Sequence, residues 1–388
     1  MRNGKSASDI PAELLKYGVD SSALLQELHK ILVELLEEPS RLPASWGVSK
    51  LSTLYKNKGS RNDPKMYRPL SIGSTVTKFT VSLLLMRVDK WYNNNQLLDS
   101  QQGFRRGRGT QDAIFTIKRI HQITEKMRKL VYCIYIDLTA AFDAVQRLWM
   151  FKSIYNRMPP SQSPKCFELL EQLYRTTSVY LSDDPECENF GTPVGVRQGG
   201  PESPPLFCLF MDAMTGQFEI ECTAAGIKGV SRNCRVPNTS TSRAEWSEHP
   251  SLGSVAHMWV GLADDLTLFF NRASELERAM EILCAIFDRH GLLLSKQKTE
   301  TMILNHGDPE NYPKSILKLG DYEVANSKNF KLLESQVKYD ESSTGDLEVS
   351  ARIEAGLCKF AQLRALLTNH RVKLEYRMRF TRRTFGAA

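Results

Sequence analysis

Asp137, Asp264 and Asp265 are residues whose type and setting could do chemistry. Asp137 closes the run VYCIYID (131–137), whose β-branched and aromatic residues predict a buried strand. Asp264 and Asp265 fall between the apolar arms of AHMWVGLADDLTLFF, a pattern that predicts a hairpin with the acids at its turn. A pair of aspartates in a loop is by itself most simply a solvated turn. Apolar flanks on both sides change that, because burying acids without a partner is costly. Two such strands side by side would converge three carboxylates, the hard oxygen donors that Mg2+ takes. Two divalent ions roughly 3.5–4 Å apart can deprotonate a 3′-hydroxyl and neutralise a pyrophosphate leaving group, so the chemistry this set suits is phosphoryl transfer.

Those carboxylates need strands to carry them and helices to back the strands. Two helices open the chain. The first is short, capped by Ser8 or Asp9, with Pro11 in its first turn and Gly18 at its end. The second covers Ser22–Glu38, where leucines recur at helical spacing. Strands are expected over Val48–Leu54 and around Tyr67–Ile72, joined by the basic, turn-rich KNKGSRNDPK, and a long helix over Thr77–Asn93 follows. The stretch Ser231–Ser254 is polar, carries two prolines and has no period, which reads as an extended surface loop. Ser274 with Glu277 forms a capping box for a helix through His290 that Gly291 closes, and LLLSKQKTETMIL reads as a strand after it. This order gives an α+β layout, with helices packed on one antiparallel sheet.

With 388 residues, 41% hydrophobic and 24% charged, the chain has the composition of an ordinary globular protein with a substantial core. No run of about 18 apolar residues occurs, so no membrane partner is expected. The opening MRNGKSASDIPAELL lacks the apolar centre of a secretory signal, which points inside the cell, nucleus and cytoplasm both remaining open. The eight cysteines form no CxxC or CxH pair and read as small buried hydrophobes in a reducing compartment. The net charge of +7 is concentrated. Lys50, Lys56, Lys58, Arg61, Lys65 and Arg68 face one acid, Asp63, while Arg371, Lys373, Arg377, Arg379, Arg382 and Arg383 face Glu375 alone. Two such clusters suit a phosphate backbone, although a solvated basic face would have the same composition.

The wording around the acids is more specific than the acids. YIDLTAAFDAV (Tyr135–Val145), GVRQGGPESPPLF (Gly195–Phe207), LADD (Leu262–Asp265) and GLLLSKQKTETMIL (Gly291–Leu304) resemble four successive motifs of the reverse transcriptases of non-LTR, LINE-type retrotransposons. YRPLSI (Tyr67–Ile72) and QQGFRRGRGTQDAI (Gln101–Ile114) are similar to the fingers motifs upstream of them, and DIPAELLKYG looks like the segment that precedes the polymerase. The resemblance spans residues 9–305. It implies a right-hand polymerase with fingers, a palm of antiparallel sheet backed by helices, and a partial thumb. Residues 1–45 would be an N-terminal helical extension, 46–305 the fingers and palm, and 306–388 a connection and partial thumb with a basic C-terminus. The activity implied is RNA-directed DNA polymerase, a nucleotidyltransferase that extends a DNA primer from its 3′-hydroxyl with dNTPs on an RNA template. Its cofactor would be Mg2+, as two ions, which Mn2+ could replace. No particular oligomeric state is implied.

Roles carry over by position. Asp137 and Asp264 would bind both ions, with Asp265 completing the set. Phe142 stands where the family places a bulky ring under the sugar, a ring that would clash with a 2′-hydroxyl; plain core packing is the alternative. Gln198 and Gly199 would line the nascent base pair, unless the Gly-Gly-Pro turn is only a turn. Arg68 would grip the incoming triphosphate with its bidentate fork, while Lys56 and Lys58 compete for a second contact. Lys298 could protonate the departing pyrophosphate or be a surface lysine. Arg105, Arg106 and Arg108 would touch template backbone. Asp143 is expected to be structural.

The chain departs from the family in three places. The second motif usually reads QGDPLSP, and here Gly200 and Glu202 replace the acid and the leucine. Leu262 stands where an aromatic residue commonly precedes ADD. The primer-grip region, NFKLLESQV (Asn329–Val337), lacks its usual glycine. With no apurinic-type endonuclease or CCHC knuckle in the sequence, these departures leave a second reading, a degenerate copy that binds nucleic acid without polymerising. A viral RNA-directed RNA polymerase fits less well, since ADD stands in place of GDD.

Overall fold

A computed structural model describes residues 10–18, 20–57, 59–93, 97–158, 164–181, 188–233, 235–237, 246–248, 254–308, 310–332, 335–338, 344–369 and 371–385. Two helices come first, α1 (Ala12–Tyr17) and α2 (Ser22–Glu37). Pro11 and Gly18 bound α1, while the expected caps Ser8 and Asp9 lie outside the described residues. Ser21 Oγ accepts the Leu24 N–H at 3.4 Å and so caps α2. Only Leu35 and Leu36 of its leucine stripe are buried.

Next come β1 (Val48–Tyr55) and β2 (Tyr67–Gly73), the pair expected for the fingers, antiparallel with Leu54 facing Arg68. Helices α3 (Thr75–Asn93) and α4 (Thr110–Lys126) follow, then the central strand β3 (Val131–Ile136). Side chains of β3 alternate between two cores, as strand geometry requires. Ile134 and Ile136 join Leu206, Phe210 and Leu283, whereas Val131, Cys133 and Tyr135 join Ala113, Ile117 and Ile120 of α4. Cover on both faces is why the run is apolar throughout.

After β3 come α5 (Ala141–Ala144), α6 (Arg147–Arg157), α7 (Lys165–Arg175), β4 (Ser178–Tyr180), β5 (Phe190–Gly191) and α8 (Ser203–Ala224). Strand β4 pairs in parallel with β1, giving a fingers sheet in the order β2-β1-β4-β5. Helix α8 is apolar around most of its circumference and lies in the middle of the core. The carboxylate it carries inward, Asp212, is fully buried; its Oδ2 receives Arg157 Nη1 at 2.6 Å and its Oδ1 the Leu98 N–H at 2.9 Å. That satisfies a charge that would otherwise be expensive to bury.

The stretch expected as a bare loop contains strands. β6 (Val230–Asn233) pairs with β9 (Ser254–His257), and β7 (Arg235–Pro237) with β8 (Trp246–Glu248). Residues 234, 238–245 and 249–253 lie outside the described residues. Arms of three or four residues are too short to display a period, which is why the sequence pattern missed them. β10 (Trp259–Leu262) and β11 (Asp265–Phe270) form the expected hairpin, and the palm sheet runs β10-β11-β3-β12, antiparallel throughout, with β12 at Glu300–Leu304.

Helix α9 (Ala273–Arg289) ends as expected, with Gly291 in the left-handed region at φ 75°. Its start differs: the N-cap is Arg272, without a side-chain cap, so Ser274 lies inside the helix and forms no capping box. The long strand expected after it is a strand only over β12, with one isolated bridge earlier, Leu294 to Leu138. Residues 295–299 turn instead, with the Lys298 and Thr299 N–H groups on the Ser295 carbonyl at 3.1 and 2.9 Å.

Two further hairpins, β13 (Ser315–Leu319) with β14 (Tyr322–Ala325) and β15 (Asn329–Leu332) with β16 (Ser335–Lys338), precede α10 (Thr344–Leu367) and α11 (Leu374–Phe385). Among the described residues no helix is long and apolar enough to cross a membrane.

Candidate active site

The hairpin of β10 and β11 closes in two residues, Ala263 and Asp264, between the facing pair Leu262 and Asp265. Ala263 sits at φ 59°, a conformation that L residues adopt sparingly. Its neighbours hold it there. Gln101, fully buried, accepts the N–H groups of Ala263 and Gly103, each at 2.9 Å, through the one side-chain oxygen Oε1. The Gln102 N–H donates to Gly261 O at 2.8 Å, and the Gly261 N–H to Ser100 O at 2.9 Å. A Cβ on Gly103 would stand 3.0 Å from Ala263 Cα, so only glycine lets this segment lie against the turn. Gln101 escaped the sequence reading; its place two residues before a glycine in a fingers motif was its only signal.

The register of β11 on β3 brings the acids together. One step beyond the last pair, Leu266 with Ile136, Asp265 comes level with Asp137. Burial raises the Asp264 carboxyl above the usual range, and the negative charge of Asp137 adds to the rise. Burial, reinforced by Asp264 and then Asp137, pushes Asp265 up to about 6. Lys298 opposes both shifts. Its Nζ lies 2.8 Å from Asp137 Oδ2, carried there by the turn before β12, whose Ser295 N–H donates to Asp137 O at 2.8 Å. Mutual repulsion among half-buried carboxylates, relieved by one ammonium, is the electrostatic setting of a cation site. The donor set, all carboxylate oxygen, suits a hard divalent ion. Among the described residues the acids are not gathered closely enough to cage an ion by themselves.

Asp137 and Asp264 open onto a cleft of about 1590 Å3 whose wall includes Arg68, Lys78, Phe142, Gln198 and Lys298. Phe142 stacks on Phe207 with ring centroids 4.2 Å apart, and Phe104 meets it edge-on at 6.4 Å. One face is thus core packing, while the residue still borders the cleft. Gln198 Nε2 donates to Asp143 Oδ1 at 2.7 Å, and Gln198 O accepts the Ser71 N–H of β2 at 2.6 Å. Gly199, at φ 110°, would place a Cβ 2.8 Å from Ser71 O, so its close approach is to the fingers strand.

The basic candidates divide. Arg68 is exposed on β2 and lines the cleft. Lys58 lies outside the described residues. Lys56 is on the cleft wall, with Nζ on Lys65 O at 2.8 Å. Arg105 donates to Leu98 O and Gln101 O at 2.9 and 3.0 Å, tying down the loop that clamps Ala263, and Arg108 pairs with Asp99 at 2.6 Å. Arg106 is exposed. Lys78, which the sequence reading passed over, is half-buried on the cleft wall; burial and then the charge of Arg197 lower its pKa.

The region expected to grip the primer forms the hairpin β15–β16, with residues 333 and 334 outside the described set. Phe330 stacks on Tyr135 of β3 at 4.2 Å and 8° between planes, which fixes the hairpin beneath the palm sheet without the missing glycine.

Comparison with known proteins identifies the family. Residues 55–339 match the family described as reverse transcriptase (RNA-dependent DNA polymerase). The Pol polyprotein of the type-2 retrotransposable element R2DM of Drosophila melanogaster is 26% identical over 209 residues, 53% of this chain and 18% of that protein. The probable RNA-directed DNA polymerase of the Drosophila transposon X-element is 25% identical over 179 residues, 44% of this chain and 19% of its own length. The chain therefore spans less than a fifth of these curated relatives. Among solved structures, apo telomerase from Candida tropicalis superposes with a TM-score of 0.51 at 10% identity, over 82% of this chain and 52% of that one, a likeness of fold. The chain belongs to the reverse transcriptase family, and the retrotransposon relatives agree with the non-LTR branch that its motifs implied.

Proposed function

We propose that this chain polymerises DNA on an RNA template, extending a primer 3′-hydroxyl with dNTPs. The observation that carries the reading is the meeting of Asp137 and Asp264 at the mouth of one cleft, with Lys298 on Asp137. Divalent-metal dependence is general to the family; Mg2+, as two ions that Mn2+ can replace, is the finer proposal. Asp137 and Asp264 would hold both ions and Asp265 would complete the set. An ion held by these carboxylates would supply Lewis acidity toward the attacking hydroxyl and positive charge toward the leaving pyrophosphate.

The chain's own residues do the rest. Arg68 holds the triphosphate, with Lys56 or Lys58 as the candidates for a second contact. Phe142 meets the sugar face and excludes a 2′-hydroxyl. Gln198 and Gly199 shape the floor under the nascent pair. Lys298 delivers a proton to the pyrophosphate oxygen as it leaves. Arg106, exposed, is the best placed of the three fingers arginines for template backbone, since Arg105 and Arg108 already hold their own loop. The domain limits at 45 and 305 are proposed as read from the motifs. Intact carboxylates and an intact cleft favour this reading over an inactive remnant.

The test is primer extension on poly(rA)–oligo(dT) with dTTP and Mg2+. Extension that EDTA abolishes supports the reading. A protein that binds this primer–template yet adds no nucleotide under any divalent ion would overturn it.

A further inference from the structure

The second motif departs from its family at positions 200 and 202, and the two departures meet in space. Glu202, immediately before α8, is 0% exposed, and its Oε1 accepts Arg197 Nε at 2.9 Å and the Tyr174 hydroxyl at 3.4 Å. Arg197 is itself 7% exposed. The carboxylate lies directly on Gly200: a Cβ there would stand 2.7 Å from Glu202 Oε2 and 2.8 Å from Cδ, and closer still to Oε1. Glu202 has no room to retreat without breaking a buried ion pair. A side chain at 200 and a glutamate at 202 therefore exclude each other.

The pair is also placed where it can act on the site. Arg197 O accepts the Ser203 hydroxyl at 2.6 Å and the Gly200 N–H at 3.0 Å, which fixes the turn to the start of α8. The next residue, Gln198, is bonded through its carbonyl to Ser71 of the fingers and borders the cleft. Among the described residues, Arg197 Nη1 and Glu202 Oε2 are buried without a hydrogen-bond partner. A buried ion pair left partly unsatisfied adds little stability over apolar packing, although losing one partner is costly. Such a pair is better explained by what it positions.

We infer that Glu202 is a positioning residue of the nucleotide site: its carboxylate, in the space that a side chain at 200 would occupy, holds Arg197 and through it the Gln198–Gly199 turn. In this chain the acid at 202 takes over from an acid at 200. The inference rests on the reading that Gln198 and Gly199 face the nascent pair.

The test is a double-variant cycle of Gly200→Asp, Glu202→Leu and the two together, with Glu202→Gln as a shape-conserving control. Two readouts are taken: the melting temperature, and the KM for dTTP against that for primer–template on poly(rA)–oligo(dT). Each single variant is expected to lower the melting temperature and to raise the KM for dTTP about tenfold, a loss of the size that one displaced hydrogen bond produces. The double variant is expected to regain most of both losses. Glu202→Gln should raise the KM for dTTP while leaving that for primer–template unchanged. Additive losses in the double variant, or a Glu202→Gln protein with an unchanged KM for dTTP, would overturn the inference. If the wild type extends no primer, the polymerase reading fails. The same cycle is then read from the rise in melting temperature on adding dTTP to the protein–poly(rA)–oligo(dT) complex, where additivity, or a Glu202→Gln rise equal to wild type, is again the overturning result.

Discussion

Lys298 and Asp137 come from elements 161 residues apart and meet at 2.8 Å. The contact exists because the segment before β12 turns at residues 295–299 instead of continuing as strand, which brings the ammonium over the end of β3. In the free protein that ammonium offsets carboxylate repulsion. In the reaction proposed here it would protonate the leaving pyrophosphate. Lys298→Ala should therefore lower kcat about a hundredfold, the usual size of a general-acid contribution, with little change in the KM for dTTP. Steady-state extension would show it; an unchanged kcat would leave Lys298 a surface lysine.

The raised carboxyls give a pH dependence with a definite sign. Burial pushes the Asp265 carboxyl up to about 6 in the folded protein, above the usual carboxylate range, so the folded state favours its protonated form. Its contribution to stability is present in full below the unfolded pKa and is lost as pH rises through the folded one. Metal binding requires the ionised form and has the opposite trend. Added Mg2+ should thus raise the melting temperature little at pH 5 and progressively more as pH passes 6, a shift that thermal melts across this range would read. A Mg2+ effect that is flat or falls with pH contradicts the proposed ligands.

Phe142 packs one face on Phe207 and still borders the cleft. Phe142→Val keeps an apolar contact while removing the ring. The preference for dTTP over UTP in kcat/KM should fall by about tenfold or more, a step of the size that steric discrimination in a pocket provides. Unchanged discrimination, with a lower melting temperature, would leave the ring a core residue only.

Asp212 tests the scaffold rather than the chemistry. It is fully buried on α8 and joins Arg157 to the Leu98 backbone. Asp212→Ala leaves a half-buried guanidinium and an unpaired N–H, and should cost about 3–5 kcal/mol in urea unfolding. A loss below about 1 kcal/mol would show that the pair is dispensable.

Periodic features were the ones legible in the sequence. The buried strand ending at Asp137, the acid hairpin, α2 and the Gly291 end of α9 are each set by local pattern and a turn residue, so local reading finds them. Ser274 failed as a cap because the chain at Arg272 was already extended and α9 began at Ala273. The strands within 230–257 were too short to show alternation. What lay furthest from view were contacts between distant segments: Gln101 on Ala263, Glu202 on Tyr174, Phe330 on Tyr135. Each is decided by packing, and no spacing within one segment announces it. The arginines at 105 and 108, which the resemblance of their motif marked for a template, also hold their own loop, a second use that only the fold reveals.

In the proposed reaction Asp137 and Asp264 carry the chemistry, and the variants Asp264→Asn and Asp137→Asn each remove one of them. Both keep the shape of the side chain and remove its charge. Single-turnover extension of poly(rA)–oligo(dT), alongside a filter-binding measurement on the same primer–template, is the decisive pair of readings. Each variant should lose extension by at least about a thousandfold, as loss of a principal electrostatic contribution does, while primer–template affinity stays near wild type. Extension retained by either variant would remove that aspartate from the reaction.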